Sequence, residues 1–393
     1  MFASLADAAW TRRDGLRALT TALGADNIRW VGGAIRDSLL GIAVNDVDCA
    51  TRLLPEQVIE LCRTAGIRTV PTGIEHGTVT AILTGGPVEI TTLRRDVATD
   101  GRRATVAFAE RWEEDAARRD FTINALYAHP ETLEISDYFG GLDHLAARRV
   151  RFIGDPHDRI REDHLRILRY FRFQARFGSE LDEDAEVACA ELAPTLKGLS
   201  RERIATELTA LLGLPDPHAT VARMHRLGVL QVVLPEATAQ HLDALALMIA
   251  AEQQQGIAPE PMRRMAALLP PVSDVAENVA ARLRLSRAQR GHLVAVAARN
   301  PDDLQDLRAL AYREGIEVAI DRVLLQGGDA RQLVGWEVPQ LPLKGGEIVA
   351  RGITAGPEVA RILRAVEGAW IAQGFPPRER VLELLVEHLP GEP

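Results

Sequence analysis

Three acidic residues have the types and spacing to hold a metal ion. Asp46 and Asp48 stand one residue apart in an otherwise apolar run. If that run is a strand, successive side chains alternate between two faces, so both carboxylates point the same way. Two like charges on one face repel each other, and a divalent cation with oxygen ligands is their natural counter-charge. Glu89, in a later predicted strand, is the candidate third carboxylate. The alternative is that Asp46 and Asp48 cap a turn and that Glu89 is a solvated strand residue.

A pair of glycines upstream of these carboxylates predicts a phosphate site. Gly32 and Gly33 follow a short apolar run and precede a helix-like piece over residues 34–40. Glycine permits close backbone approach, and the start of a helix favours phosphate. Metal and phosphate sites on one short unit indicate nucleotide chemistry, in which two metal ions would serve the attacking hydroxyl and the leaving group.

Two adjacent arginines form a second candidate phosphate site. Arg118 and Arg119 precede a strand-like run, and their planar, forked donors suit phosphate oxygens. Asp120, the next residue, could accept a hydrogen bond from a ribose hydroxyl. The alternative is a solvated charge cluster at the end of a loop.

A pair farther along the chain could read a nucleotide base. On a predicted helix over residues 159–177, Asp163 and Arg166 are three residues apart and share a face. An acceptor beside a multiple donor matches the amino group and ring nitrogen of cytosine and adenine, and mismatches guanine and uracil. The alternative is an ordinary intrahelical salt bridge, worth a few tenths of a kcal/mol (about 0.3).

The elements that must position these residues predict a small α+β head followed by an all-helical remainder. Up to about residue 140 the pattern alternates strands and helices around a small mixed sheet, with a hairpin formed by residues 76–83 and 88–93. Residues 94–117 are charged and weakly periodic, which predicts a long loop. Residues 121–128 predict a strand. Beyond residue 141 the strand signals fade, and Ser200 is the predicted N-cap of a later helix.

Composition and charge limit the class of protein. The chain has 393 residues and a formal net charge of −9, which excludes a globally basic nucleic-acid binder. Residues 148–176 nevertheless contain nine arginines against four acids, enough for a local polyanion site. The three cysteines lack metal or disulfide spacing and indicate a reducing compartment. We find no secretory signal and no apolar run long enough to cross a bilayer, so the expectation is a cytoplasmic protein without a membrane segment.

Several ordered motifs between Gly32 and about Glu236 resemble those of one family. They are GGAIRD followed by DVD, HGTVT followed by VEITTLRRD, then RRDFTINAL, DRIREDHLRILRYFRF, and SRERIATELTALL followed by LPE. In this order they resemble the class II tRNA nucleotidyltransferases (CCA-adding enzymes) and the bacterial poly(A) polymerases.

The resemblance implies a fold, a division of the chain and a set of site residues. It implies a head with a polymerase-β-like palm at residues 1–140, a helical neck at 141–212, a helical body at 213–300, and a helical, tRNA-contacting tail at 301–393. It also implies that Asp46 and Asp48 are the metal ligands and that Arg203 and Glu207 steady the neck. Residues 94–117 match the position of the family's flexible loop. The expected nucleotide-binding residues are Gly32, Gly33, Arg36, Arg118, Arg119, Asp120, Asp163, Arg166 and Arg169.

The expected activity is template-independent addition of CCA to the 3′ end of tRNA from CTP and ATP, with release of pyrophosphate. Mg²⁺ is the expected metal because the ligands are hard oxygens and the substrate is a triphosphate. No obligate protein partner is inferred. Poly(A) polymerase, or an enzyme that adds only C or only A, shares the same motifs and stays open. A catalytically silent tRNA-binding protein and a small-molecule nucleotidyltransferase are the readings from other classes.

Overall fold

The computed structural model describes residues 2–99 and 104–389, and gives the backbone alone for residues 96–99 and 104–106. The chain divides into two compact units, Met1–Pro235 and Glu236–Pro393. The first contains a mixed sheet followed by helices, and the described part of the second is helical. The expected fold class, an α+β head followed by an all-helical remainder, is therefore confirmed.

The sheet of the first unit has seven strands, and one two-stranded hairpin stands apart from it. The strands are β1 (Ile28–Val31), β2 (Val47–Thr51), β3 (Arg68–Gly73), β4 (Thr78–Leu83), β5 (Gly86–Thr92), β6 (Arg94–Thr99), β7 (Ala104–Phe108), β8 (Leu126–Ala128) and β9 (Ile135–Asp137). Their order in the main sheet is β3-β4-β5-β2-β1-β8-β9. The pairing of β2 with β5 is parallel, and every other strand pair given for the described residues is antiparallel.

Helices surround this sheet and continue beyond it. Those of the first unit are α1 (Leu16–Leu23), α2 (Gly33–Leu39), α3 (Pro55–Thr64), α4 (Trp112–Ala117), α5 (Gly141–Ala146), α6 (Pro156–Glu162), α7 (Arg166–Phe177), α8 (Glu183–Leu192), α9 (Arg201–Leu212), α10 (His218–Arg226) and α11 (Val229–Val233). Those of the second unit are α12 (Ala239–Gln255), α13 (Pro261–Ala267), α14 (Ser273–Arg282), α15 (Arg287–Ala297), α16 (Leu307–Glu314), α17 (Ile316–Leu325), α18 (Gly345–Val349), α19 (Pro357–Ala372) and α20 (Arg378–His388). No helix in the described parts of the chain is both long and apolar enough to span a membrane.

The prediction of a loop over residues 94–117 was wrong. β6 and β7 pair as an antiparallel hairpin, and α4 follows them. Within the described residues the hairpin pairs only with itself, apart from the main sheet. Residues 100–103 of the predicted loop lie outside the described residues.

Two further predicted elements differ from the structure. The strand expected over residues 121–128 is a 3-10 turn, Thr122–Asn124, followed by the short β8. The single helix expected over residues 159–177 is broken into α6 and α7, with Asp163 extended between them at φ −148°. Asp163 Oδ1 accepts a hydrogen bond from the Leu165 N–H at 3.1 Å, and this local bond competes with continuation of the helix.

Other predictions were confirmed. The hairpin over residues 76–83 and 88–93 is β4 and β5. Ser200 caps α9 by accepting a hydrogen bond from the Arg203 N–H at 3.4 Å. The three cysteines, Cys49, Cys62 and Cys189, are free thiols and are buried.

A buried charged network distinguishes the second unit. Glu252 is 1% exposed, and its two carboxylate oxygens accept hydrogen bonds from Arg263 Nη1 at 2.5 Å and Arg264 Nε at 2.8 Å. Arg263 Nε also donates to Asp321 Oδ1 at 2.6 Å, and His292 Nε2 lies 2.7 Å from Asp321 Oδ2. Since buried charges are costly without partners, each of these groups depends on the others.

Candidate active site

Three acidic side chains meet at one region of the main sheet. Asp48 lies on β2 and Glu89 on β5, and the parallel pairing of these strands places the two residues side by side in register. Asp46 comes immediately before β2 and lines the same cavity as Asp48. The expectation that Asp46 and Asp48 face one space therefore agrees with the structure, although Asp46 itself is outside the strand.

The electrostatics of these carboxylates fit a divalent cation. Partial desolvation by the cavity walls raises the pKa of Asp48, and the negative charges of Glu89 and Asp46 raise it further. Like charges that disfavour each other's ionisation need a counter-charge before all of them can be ionised together. The donor atoms are carboxylate oxygens, which are the ligands that hard divalent ions prefer.

Two adjoining cavities connect the carboxylates with the predicted nucleotide-binding residues. The smaller, of ≈ 330 Å³, contains Glu89, Arg118, Asp163 and Arg166, and the larger, of ≈ 640 Å³, contains Gly32, Gly33, Arg36 and Asp46. Four residues line both cavities: Asp48, Arg119, Asp120 and Arg169. The structure thus brings together every site residue predicted from the sequence.

The glycines and Arg36 form one wall of the larger cavity. Gly32, at φ +68°, turns the chain from β1 into α2, and a Cβ at this position would lie 3.3 Å from Arg119 Nη1. Arg36 is buried, donates to Asp37 Oδ1 at 2.7 Å, and stacks 4.3 Å from the centroid of the Phe177 ring. Burial lowers the pKa of Arg36, and Asp37 opposes this effect.

Arg118 and Arg119 are both anchored by Asp115, a residue that the sequence reasoning missed. Asp115 is 1% exposed and lies one helical turn before them, on α4. Arg118 Nη2 is 2.7 Å from Asp115 Oδ1, and Arg119 Nη2 is 3.3 Å from Asp115 Oδ2. The spacings of three and four residues carry the signal for this contact, but they are visible only once the segment is recognised as helical.

Asp120 joins the head to the helix α7. Its Oδ2 accepts hydrogen bonds from Arg169 Nε at 2.8 Å and Nη2 at 2.5 Å, and its Oδ1 accepts from the Phe121 N–H and from Asn124 Nδ2. Burial alone would raise the pKa of Asp120, but Arg169 and these donors outweigh it and lower the pKa to about 2. Asp120 is therefore ionised near neutral pH, and its Oδ2 is already paired with Arg169.

Asp163 and Arg166 line one cavity but do not share a helix face. Asp163 lies in the break between α6 and α7, and Arg166 begins α7, so the expected i, i+3 pair on one continuous helix was wrong. Among the described contacts no ion pair joins their side chains. Asp163 Oδ2 accepts from Arg203 Nη2 at 2.7 Å, and Arg166 donates to Glu162 Oε2 at 2.6 Å. The alternative interpretation, an ordinary salt bridge between Asp163 and Arg166, therefore also differs from the described contacts.

Backbone carbonyls fix the direction of the Arg166 guanidinium. Its Nη1 donates to the Arg159 carbonyl at 2.9 Å and its Nη2 to the Arg118 carbonyl at 3.0 Å. The second bond ties the start of α7 to the residue that begins the Arg118-Arg119-Asp120 motif. The expected supporting role of Arg203 and Glu207 also has a geometric basis, because Arg203 holds Asp163 and Glu207 Oε2 accepts from Arg172 Nε at 2.6 Å.

A second group of possible metal ligands lies in the other unit. Oxygen and nitrogen atoms of Glu260, His292 and Asp321 lie within 4.8 Å of one another. Arg263 donates to Asp321 and its backbone N–H donates to Glu260, so an arginine occupies the space beside these acceptors. This group belongs to the buried charged network, not to the predicted nucleotide site.

Comparison with known proteins agrees with the site geometry. Residues 28–151 match the model of the poly A polymerase head domain, and residues 178–240 match that of a probable RNA- and SrmB-binding site of polymerase A. The mitochondrial CCA tRNA nucleotidyltransferase 1 of Mus musculus is 34% identical over 388 residues, covering 92% of this chain and 87% of the relative. A CCA-adding enzyme of Streptococcus sanguinis is 34% identical over 376 residues, covering 89% and 90%.

A solved structure extends the likeness to the fold. The crystal structure of the Bacillus stearothermophilus CCA-adding enzyme in complex with CTP has a TM-score of 0.75 and 28% identity, covering 95% of this chain and 96% of that one. Relatives that align over 92% and 89% of this chain, a matching fold and a set of carboxylates and arginines in two adjoining cavities all agree. The chain therefore belongs to the tRNA nucleotidyltransferase family, the family of the CCA-adding enzymes.

Proposed function

We propose that this enzyme adds C, C and A in turn to the 3′ end of tRNA, using CTP and ATP and no nucleic-acid template. In each step the 3′ hydroxyl oxygen of the tRNA bonds to the α-phosphorus of the nucleotide. The bond from that phosphorus to the bridging oxygen breaks, and pyrophosphate leaves. The observation that carries the proposal is a pair of adjoining cavities that share four lining residues, Asp48, Arg119, Asp120 and Arg169. Asp46 lines the larger cavity, and Glu89, Asp163 and Arg166 line the smaller one.

Asp46 and Asp48 are the proposed holders of a divalent cation, with Glu89 as the third carboxylate. Mg²⁺ is the proposed ion, because the ligands are carboxylate oxygens and the substrate is a triphosphate. When bound, such an ion neutralises phosphate charge and lowers the pKa of the attacking hydroxyl. The register of Asp48 with Glu89 across β2 and β5 supports this assignment.

The arginines are the proposed holders of the triphosphate. Arg118 and Arg119 bring forked donors to the lining of the smaller cavity, and Asp115 holds Nη2 of each. Gly32 and Gly33 leave room for close approach in the larger cavity, beside Arg36 and Arg119. Asp120 and Arg169, already joined to each other, are the proposed contacts of the ribose.

Asp163 and Arg166 are the proposed readers of the base. An acceptor oxygen and a guanidinium, each held by its own protein partners, present a fixed acceptor–donor pattern to the cavity. Cytosine and adenine offer the complementary amino donor and ring-nitrogen acceptor, whereas guanine and uracil offer the reverse. A mismatched base leaves polar groups unpaired, which costs about 1–3 kcal/mol per group.

The remainder of the chain is proposed to receive the tRNA. Because one end is added to every tRNA, recognition by shape and backbone is expected in place of base reading. We keep the division into head (1–140), neck (141–212), body (213–300) and tRNA-contacting tail (301–393) as part of this proposal. A cytoplasmic location is also proposed, supported by three free, buried cysteines.

One incubation separates this proposal from its alternatives. The purified protein is given unmodified tRNA lacking its 3′ end, with CTP alone, ATP alone, or both. Two C additions with CTP, and one terminal A that requires prior C addition, are expected. An extended A tract would indicate a poly(A) polymerase. Incorporation of C alone, or of A alone, whichever nucleotides are supplied, would indicate an enzyme that adds only that nucleotide. Absence of metal-dependent pyrophosphate release in every reaction would indicate a catalytically silent tRNA binder.

Two variants test the assigned roles. Asp46→Ala is expected to abolish incorporation of both nucleotides while tRNA binding, measured by filter retention, persists. Retained CTP incorporation would contradict the metal-ligand assignment. Arg166→Ala is expected to reduce selectivity for C and A over U and G, and unchanged selectivity would return Arg166 to a structural role.

A further inference from the structure

The carboxylate of Asp115 accepts hydrogen bonds from several donors, among them Arg118 and Arg119, the proposed triphosphate-binding arginines. It receives Arg118 Nε at 2.8 Å, Arg119 Nη2 at 3.3 Å, the Tyr127 hydroxyl at 2.6 Å and the Arg94 N–H at 3.4 Å. With 1% exposure, it is closed to solvent. Asp115 does not itself line either of the two cavities, so its effect on a bound nucleotide must pass through the arginines.

The helix that carries Asp115 is anchored on both sides. Trp112, three residues earlier on α4, has the guanidinium carbons of Arg29 and Arg52 at 5.0 Å and 5.1 Å from its ring centroid. Ala116 is fully buried in the cluster that also contains Trp112 and Tyr127. Such cation–π contacts and core packing fix the position of α4 relative to β1 and β2. Asp115 therefore offers its acceptors at a constant place.

A relay through Tyr127 determines how Arg119 is oriented. Arg119 Nε donates to the Tyr127 hydroxyl at 2.9 Å, and that hydroxyl donates to Asp115. Nη2 is also held by Asp115, and Nη1 donates to the Asn124 carbonyl at 3.4 Å, so each nitrogen of the guanidinium has a protein partner while Arg119 lines both cavities. Burial alone would raise the pKa of Asp115, but Arg119 and Arg118 lower it to about 2, so the anchor is ionised at neutral pH.

We propose that Asp115 is a positioning residue that pre-forms the Arg118–Arg119 clamp for the triphosphate. This inference rests on the proposed function and adds a specific role for a residue outside the cavities. Because the triphosphate is common to all nucleoside triphosphates, the anchor acts equally on CTP and ATP and leaves base selectivity unchanged. An interaction made equally with substrate and transition state is read as a change in KM at constant kcat.

Asp115→Asn is the primary test. It keeps the size of the side chain and removes the charge that aligns both arginines. The expected result is a rise of about tenfold in the KM for CTP and for ATP, equal within a factor of two, with kcat within threefold of the parent; tenfold corresponds to about 1.4 kcal/mol. Glu113→Gln is the matched control on the same helix, since Glu113 is exposed and the change in charge is identical. It is expected to leave both constants unchanged.

Direct binding separates positioning from a general structural effect. The Kd for inorganic tripolyphosphate, measured by calorimetry, is expected to rise about tenfold in Asp115→Asn and to stay constant in Glu113→Gln. Tyr127→Phe, which removes only the relay hydroxyl, is expected to shift the same Kd in the same direction by a smaller factor. It provides the test if the Asp115→Asn protein fails to fold.

The outcomes are distinct. An unchanged or lower Kd for tripolyphosphate in folded Asp115→Asn would overturn the inference. If Asp115→Asn does not fold, the same result in Tyr127→Phe would overturn it. Unequal effects on CTP and ATP, or relaxed selectivity against UTP and GTP, would overturn it as well. Failure of the parent protein to add C or A to tRNA would overturn the proposed function instead, and that result is read from the parent alone.

Discussion

The contact between Arg203 and Asp163 yields a quantitative prediction for base selection. Arg203 Nη2 lies 2.7 Å from Asp163 Oδ2, and the two side chains are 40% and 28% exposed. Removing the guanidinium leaves Asp163 with the Leu165 N–H as its hydrogen-bond donor among the described contacts. The perturbation is Arg203→Gln, which keeps much of the stem and removes the charge.

The exposure of the pair sets the size of the expected effect. An ion pair screened to this degree by solvent is worth about 0.2–1 kcal/mol. Freeing the Asp163 side chain adds a conformational cost of the same order, so we expect a total of about 0.4–2 kcal/mol. Since 1.4 kcal/mol is about tenfold, kcat/KM for CTP should fall by roughly 2- to 30-fold.

Single-nucleotide incorporation kinetics on tRNA lacking its end provide the assay. CTP and UTP are measured separately, and discrimination between them is expected to fall by the same factor as kcat/KM for CTP. Arg201→Gln is the matched control on the same helix and is expected to leave discrimination unchanged. A double-mutant cycle adds a sharper criterion, because Arg203→Gln should have little effect once Asp163 is already Asn. Equal losses for CTP and UTP, or full additivity in the cycle, would refute the reasoning.

Three further predictions concern stability. Glu252→Gln should lower the free energy of unfolding of the second unit by about 3–5 kcal/mol, because two buried arginines lose their shared counter-charge. Glu277→Gln, in an exposed pair with Arg290, is the control and should cost at most about 1 kcal/mol. Urea unfolding measures both. The hydrogen bond to Asp321 raises the pKa of His292 in the folded protein. The resulting stabilisation is present below the unfolded-state pKa, near 6.5, and is lost as the pH rises through the raised folded-state pKa. Over this pH range the midpoint of thermal unfolding should therefore fall more in the parent than in His292→Gln. Gly141→Ala should destabilise the first unit by about 1–3 kcal/mol or more, because the added Cβ would meet the Thr122 carbonyl oxygen. Gly291→Ala is the control: it lies within α15 with open space around it and should be neutral or stabilising. Scanning calorimetry measures both variants.

Much of the site could be predicted because its residues follow local patterns. The alternation of Asp46, Val47 and Asp48 is a period-two signal that any strand would express. Glu89 could be placed on a strand in the same way. Its register beside Asp48 could not, because a parallel pairing between strands far apart in the chain leaves no mark on the spacing of either one.

The missed features have a common physical cause. The apolar positions Ile160, Leu165 and Leu168 keep helical spacing across the break at Asp163, so periodicity alone predicts one helix. The interruption comes from a hydrogen bond of the Asp163 side chain to the backbone, which hydrophobic spacing does not encode. Asp115 was missed for a related reason, since its charged surroundings suggested a loop in place of the short helix α4.

The parallel pairing of β2 with β5 has a consequence for synthesis of the protein. Asp48 and Glu89 become neighbours only after α3, β3 and β4 have formed a crossover between them. Arg166 and Arg203, from later helices, complete the site. A ribosome-bound chain that ends within the main sheet would therefore contain the carboxylates proposed to bind the metal, but not the residues proposed to choose the nucleotide. Under the proposed roles, the ability to select C and A should emerge during translation only after α9 has left the exit tunnel, later than the synthesis of Asp46, Asp48 and Glu89.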